Sequence, residues 1–188
     1  MIGVFMESQL LGGIWTLRLH GIEVNNGNFH AWIEREDGSQ TSFVEPHDNT
    51  HTVNSIGCGH NIIMVGSYDP TKPNQPLSYF SSSGPTRDGR QKPDFIARGQ
   101  NIWAAASLTG TKSSRKSGTS MAAPVVTGII ALMLSEANAR NIKLDIDQIR
   151  DILIHSATKN PPLDPLMKAR YGYGAIDVNA AISAVRTM

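Results

Sequence analysis

The residues best suited to chemistry in this 188-residue chain are Ser117-Gly-Thr-Ser-Met-Ala-Ala-Pro124, which run directly into an apolar stretch. A hydroxyl is a poor nucleophile in water. A catalytic serine must therefore sit where a base reaches it and where backbone donors support a developing oxyanion. Gly118 allows a sharp turn without a Cβ clash. Thr119 and Ser120 are residue types that begin helices, so Ser120 is expected where unpaired N–H groups point and the helix dipole favours negative charge. Ala122 and Ala123 are small enough for that turn to press on neighbouring backbone. Pro124 is expected at the edge of the first turn, where its missing N–H removes at most one ladder bond. A lone Gly-Thr-Ser is an ordinary helix cap; the full string points to a nucleophile.

The string resembles the serine motif of the subtilisin-like proteases, the subtilases. That resemblance implies peptide-bond hydrolysis through an acyl-enzyme on Ser120, with Gly118, Thr119 and Met121 beside the substrate. An imidazole would take the hydroxyl proton, a carboxylate would hold the imidazole in the right tautomer, and the Ser120 N–H would form half of the oxyanion hole. Further segments resemble the family in the same order. They are Asn61-Ile-Ile-Met-Val-Gly-Ser-Tyr68, Phe80-Ser-Ser-Ser-Gly-Pro-Thr-Arg-Asp-Gly-Arg90 with Lys92-Pro-Asp-Phe-Ile-Ala-Arg-Gly99, and Tyr171-Gly-Tyr-Gly-Ala-Ile-Asp177. Arg98 stands where the family usually has Pro. Gly13-Ile-Trp-Thr-Leu-Arg-Leu19 and Phe29-His-Ala-Trp32 resemble a hairpin of some bacterial members.

The elements that must position Ser120 follow from patterning. Residues 13–36 read as a β-hairpin, because Trp15, Leu17 and Leu19 alternate, Asn26-Gly27 turns, and Phe29, Ala31 and Ile33 alternate again. Residues 36–60 are polar and irregular. Ile62-Ile-Met-Val65 reads as a strand covered on both faces, and Ile102–Ala106 as another. Pro70 to Pro76 is a loop. Val125–Asn138 reads as a helix with apolar residues all round its axis, which predicts full burial. Asp145-Ile-Asp-Gln148 has the form of a capping box, and Asp177 that of a cap on a last helix with Ala181, Ile182 and Val185 inward. The expected fold is α/β: the C-terminal portion of a subtilase-type parallel sheet with flanking helices (61–188), preceded by the hairpin and a connecting segment (1–60).

The rest of the triad is not legible. No Asp-Thr-Gly or His-Gly-Thr occurs, and none of the six histidines (His20, His30, His47, His51, His60, His155) has a glycine-rich setting. The chain thus reads as the nucleophile half of a subtilase, inactive alone and dependent on an N-terminal part of the catalytic domain. The alternative is a non-catalytic or self-associating module. Exposed sheet edges favour a homo-oligomer. Polypeptide is the expected substrate of the intact parent, which by family would be secreted or on the cell surface, although residues 1–6 do not form a signal peptide.

Net charge is +1 and mean hydropathy −0.21, so there is no electrostatic footprint for nucleic acid or anionic membrane. No run approaches 18 apolar residues, the length that spans a bilayer. His47-Asp-Asn-Thr-His51 has an H-x3-H spacing, but Asn49 and Thr50 favour a loop; no metal or cofactor is assigned, and the calcium common in subtilases has no ligand cluster here. Thr111-Lys-Ser-Ser-Arg-Lys116 reads as a solvated basic rim, Gly172-Tyr-Gly174 as a turn, and Cys58 as a small buried thiol.

Overall fold

A computed structural model describes residues 13–33, 41–45, 47–108, 110, 112–158 and 165–188. They fall into two units, Met1–Thr41 and Ser42–Met188.

In the first unit the expected hairpin is not formed: residues 13–33 contain no strand, and 34–36 lie outside the described residues. Trp15, Leu17, Leu19 and Phe29 are all exposed. The Asn26 side chain accepts the Asn28 N–H as a turn would (3.1 Å), and His30 stacks on Trp32 with centroids 5.4 Å apart. Alternation supplies an apolar face, but a two-stranded ribbon without a surface to cover that face is marginal in water.

The second unit is α/β, as expected. Its elements are β1 (Val65–Tyr68), β2 (Phe95–Arg98), β3 (Ile102–Ala105), β4 (Ser113–Lys116), α1 (Thr119–Ala139), α2 (Ile146–Ser156), β5 (Ala157–Thr158), α3 (Pro165–Tyr171), β6 (Ala175–Ile176) and α4 (Val178–Arg186). One sheet runs β1-β2-β6-β5, parallel except for the β5–β6 pair; β3 and β4 form a separate antiparallel hairpin. Phe95 and Ala97 of β2 face α1. Phe95 joins a core of Ile129, Met133, Ile149, Leu153, Ala181 and Val185, while Ala97 meets Ala122 and Val126.

The strand expected over 62–65 begins instead at Val65. A buried ion pair explains the shift. Lys92 Nζ lies 2.6 Å from Asp94 Oδ2, with only 4% and 6% of the two side chains exposed. Lys92 also donates to the Ile62 carbonyl (2.7 Å), and Asp94 Oδ2 accepts the Met64 N–H (2.6 Å). Side chains thus occupy backbone groups of 62 and 64 that a ladder would otherwise use. Regular pairing starts one residue later, at Val65↔Phe95.

Helix α1 begins at Thr119, six residues before the apolar run, and carries Pro124 inside it. Its burial is one-sided. Val126, Ile129, Met133 and Ala137 are buried against the sheet, α2 and α4, whereas Val125, Leu132 and Leu134 are exposed. By length and composition alone α1 is long and apolar enough to cross a membrane, against the sequence expectation. Its packed face is that of a core helix. The smaller helices start as expected: Asp145 and Gln148 complete a capping box on α2, and the Asp177 carboxylate accepts the Ala180 N–H. Cys58 is half-buried, its thiol donating to the Asn54 carbonyl (3.2 Å), so it is not a core thiol.

Two measurements test this packing. Asp94→Ala leaves the buried Lys92 ammonium unpaired and is expected to cost about 3–5 kcal/mol in urea unfolding; a loss under about 1 kcal/mol would show that the pair is not buried. Met133→Ala is expected to cost about 2–5 kcal/mol, and Leu132→Ala less than about 1 kcal/mol. Equal losses would contradict one-sided burial of α1.

Candidate active site

The serine turn is made by the end of β4 and the start of α1. It is fastened to the C-terminal end of β2 by two hydrogen bonds. The Gly118 N–H donates to the Gly99 carbonyl (2.8 Å), and the Asn101 N–H donates to Ser117 Oγ (2.9 Å). Gly118, at φ 157 and ψ 158, is the N-cap and has no capping side chain. That backbone region is essentially open to glycine alone. Neither Thr119 nor Ser120 caps the helix, in contrast to their expected role; they are its first two residues.

Ser120 is exposed, and its backbone N–H belongs to the first turn, for which a helix has no internal acceptor. The N-terminal end of a 21-residue helix adds a partial positive charge at the same place. Pro124 is the sixth helical residue, not the edge of the first turn, so the ladder bond it removes is the one to the Ser120 carbonyl. Behind the turn, Ala122 is fully buried against Ala97 and Val126. Met121 is half-buried, and a Cβ on Gly118 would meet its sulfur at 3.5 Å. Gly118, Thr119, Ser120 and Met121 therefore share one turn.

Close approach holds this turn. A Cβ on Gly99 would lie 2.3 Å from Ser67 Oγ and 2.8 Å from the Gly118 carbonyl oxygen. Ser67 itself is fixed, since its hydroxyl shares a hydrogen bond with Ser78 (2.7 Å) and its N–H donates to Ser81 Oγ (3.0 Å). The Arg170 guanidinium of α3 donates to the carbonyls of Ser78 (2.9 Å), Tyr79 (3.3 Å) and Ser81 (3.0 Å), closing the Ser78–Ser81 turn from outside. None of Ser67, Ser78, Ser81, Lys92, Asp94 and Arg170 is assigned a role by the sequence reading. The available signal is charge and hydroxyl out of place: Lys92 and Asp94 abut the apolar Phe95-Ile-Ala97, and Ser67 follows Val65-Gly66.

Among the described residues, His51 Nδ1 hydrogen-bonds Thr50 Oγ1 (2.7 Å), His155 Nδ1 lies 2.7 Å from the Asp151 carbonyl, and His47 pairs with Glu45 (3.2 Å). No group of three or more His, Cys, Asp or Glu able to hold a metal occurs among the described residues. Asp69, just after β1, takes the Thr71 hydroxyl and N–H on Oδ1, which hold its carboxyl below the ordinary range; its buried Oδ2 has no hydrogen-bond partner among the described residues.

Comparison with known proteins agrees with this geometry. The model of the subtilase family, peptidase S8, matches residues 22–174. Serine protease AprX of Bacillus subtilis is 33% identical over 150 residues, which cover 71% of this chain and 32% of AprX. Pyrolysin of Pyrococcus furiosus is 35% identical over 116 residues, 59% of this chain and 8% of pyrolysin. Among solved structures, the CspB protease of Clostridium perfringens superposes with a TM-score of 0.64 at 32% identity, over 74% of this chain and 30% of CspB. The patellamide maturation protease PatA superposes at 0.61 and 27% identity, over 74% of this chain and 48% of PatA. This chain therefore spans about a third or less of AprX, pyrolysin and CspB. With the serine motif, the parallel sheet and the family match in agreement over most of its length, the chain belongs to the subtilase family of serine proteases.

Proposed function

We propose that this chain supplies the nucleophile half of a subtilisin-like serine endopeptidase. Ser120 attacks the scissile carbonyl of a polypeptide, its own N–H donates to the resulting oxyanion, and Gly118, Thr119 and Met121 line the substrate. The observation that carries this reading is the exposed Ser120 in the first turn of α1, on a loop hydrogen-bonded to the end of β2. An exposed first-turn serine with rigid support has the placement that nucleophilic catalysis needs.

Activation is a separate requirement. The sequence has neither an Asp-Thr-Gly nor a His-Gly-Thr segment. The imidazole that takes the Ser120 proton and the carboxylate that orients it are therefore assigned to polypeptide beyond these 188 residues. Loss of the base lowers subtilisin-type turnover on the order of 10⁶-fold, so the chain by itself should be silent.

Incubation of the 188-residue chain with a fluorophosphonate probe is expected to leave Ser120 unmodified, and casein uncut. Refolding it with a polypeptide carrying the Asp-Thr-Gly and His-Gly-Thr segments of a family member is expected to produce labelling that Ser120→Ala abolishes. Stoichiometric labelling of the chain alone would refute the division of the triad. Absence of labelling after complementation would leave the non-catalytic module as the reading.

Gly99→Ala tests the support. The clash with Ser67 and the Gly118 carbonyl is expected to cost about 1–3 kcal/mol of stability and to slow labelling of the complemented chain by on the order of 100-fold through misplacement of Ser120. Gly128→Ala, with nothing within 4 Å of the new Cβ, is expected to stabilise the chain by up to about 1 kcal/mol. Equal effects of the two on stability would show that Gly99 is not a point of close approach.

A further inference from the structure

The basic segment before the serine turn is more ordered than a solvated rim. Residues 113–116 are strand β4, paired with β3 in the register Ile102↔Lys116 and Trp103↔Arg115. The two feet of this hairpin stand on the backbone that fixes Ser120, since Asn101 bonds Ser117 and Gly118 bonds Gly99. Lys116 is four residues from Ser120, a separation of at most about 14 Å even in a fully extended chain.

The hairpin's charge is one-sided. Residues 101–118 contain Lys112, Arg115 and Lys116 and no acidic residue. Among the described residues none of the three cations forms an ion pair; the flanking carboxylates are already engaged, Asp94 by Lys92 and Glu136 by Arg140 and Arg186. Arg115 is nevertheless held in place, with its guanidinium 4.6 Å from the Trp103 ring centroid. A guanidinium stacked on an indole keeps its N–H donors free at the edge, and less rotamer freedom is lost when a carboxylate arrives. Lys116, Arg115 and Trp103 are all exposed.

We infer that the β3–β4 hairpin is a recognition arm for acidic polypeptide, in which Arg115 and Lys116 pair with carboxylates of a segment lying within about four residues of the bond that Ser120 attacks. An extended polypeptide presents a residue every ~3.3 Å, so that window matches the reach from Lys116 to Ser120. The inference rests on the protease reading for the position of the bond, but not for the binding itself. One exposed pair contributes up to about fivefold in affinity. Two such pairs give on the order of tenfold at low ionic strength, and salt screens most of it.

The test is a titration of the ¹⁵N-labelled 188-residue chain with an unstructured peptide bearing alternate Asp and Glu, and with its Asn/Gln counterpart. The expected result is about tenfold tighter binding of the acidic peptide at low salt, with amide shifts confined to residues 101–118. Lys116→Glu and Arg115→Gln should each reduce the preference severalfold, and molar salt should remove it. Equal binding of the two peptides, no binding of either, or shifts elsewhere would overturn the inference. So would tighter binding of a single-stranded oligonucleotide of matched charge. Fluorophosphonate labelling of the complemented chain judges the protease reading separately: labelling with no acidic preference sinks only the arm, and acidic binding without labelling sinks only the protease.

Discussion

The register between β1 and β2 is the constraint on which the rest of this molecule depends, and the Asp94 carboxylate sets it. At one end of the four-residue β2, Asp94 takes the Met64 N–H and the Lys92 ammonium; at the other, Gly99 receives the serine turn. A slip of one residue would turn Phe95 and Ala97 away from α1 and expose them on the opposite face. It would also move Gly99 off Ser67 and Gly118, where only a hydrogen fits between the backbones. Two charges buried this deeply are costly to desolvate, and apolar replacements often match them in stability. Their effect here is geometric: they occupy the Ile62 carbonyl and the Met64 N–H, and the regular register begins at Val65↔Phe95.

From that fixed strand the site is built outward by contacts of different kinds. Apolar packing holds the body of α1, through Ile129, Met133 and Ala137 against Phe95, Leu153 and Val185. Its first turn is held by smallness, with Ala122 against Ala97 and Gly118 against Gly99. The flank is held by hydrogen bonds from Arg170 to three carbonyls around Ser78–Ser81. Each removes a different freedom from the Ser117–Ser120 turn. Ser120 itself stays exposed, as the proposed attack on a carbonyl requires.

How much of this was legible in the sequence depends on whether a residue's partners are near it in the chain. The caps at Asp145 and Asp177 are local, since donor and acceptor are three residues apart, and both formed as expected. The serine turn and the strand at Ile102 are nearly as local. The start of β1 was misplaced because Ile62–Met64 is apolar enough for a strand, while the groups that divert its backbone come from 30 residues away. Full burial of α1 was misjudged for a similar reason: periodicity reports that Leu132 and Val125 are apolar but not that anything covers them. The hairpin expected over 13–36 fails at the same point in its described residues, 13–33. Alternation names a face, and only a partner surface makes it a strand.

Placement and activation of a nucleophile are separable physical tasks, and the proposed function would divide them between this chain and other polypeptide. Placement is a property of the sheet and of α1. Its immediate hydrogen bonds and close contacts lie within residues 67–126, while Arg170 and the packing of the α1 body against Leu153 and Val185 brace it from further along the chain. Activation needs an imidazole within hydrogen-bond reach of Ser120 Oγ, with its other ring nitrogen held by a partner. Orientation lowers a barrier only when both reacting groups are present, so a well-positioned hydroxyl without a base gains little over water. A helix N-terminus likewise stabilises an oxyanion only after one has formed. On the proposed reading, the rigidity around Ser120 is one side of a joint site that gains its rate only when a base is brought to it.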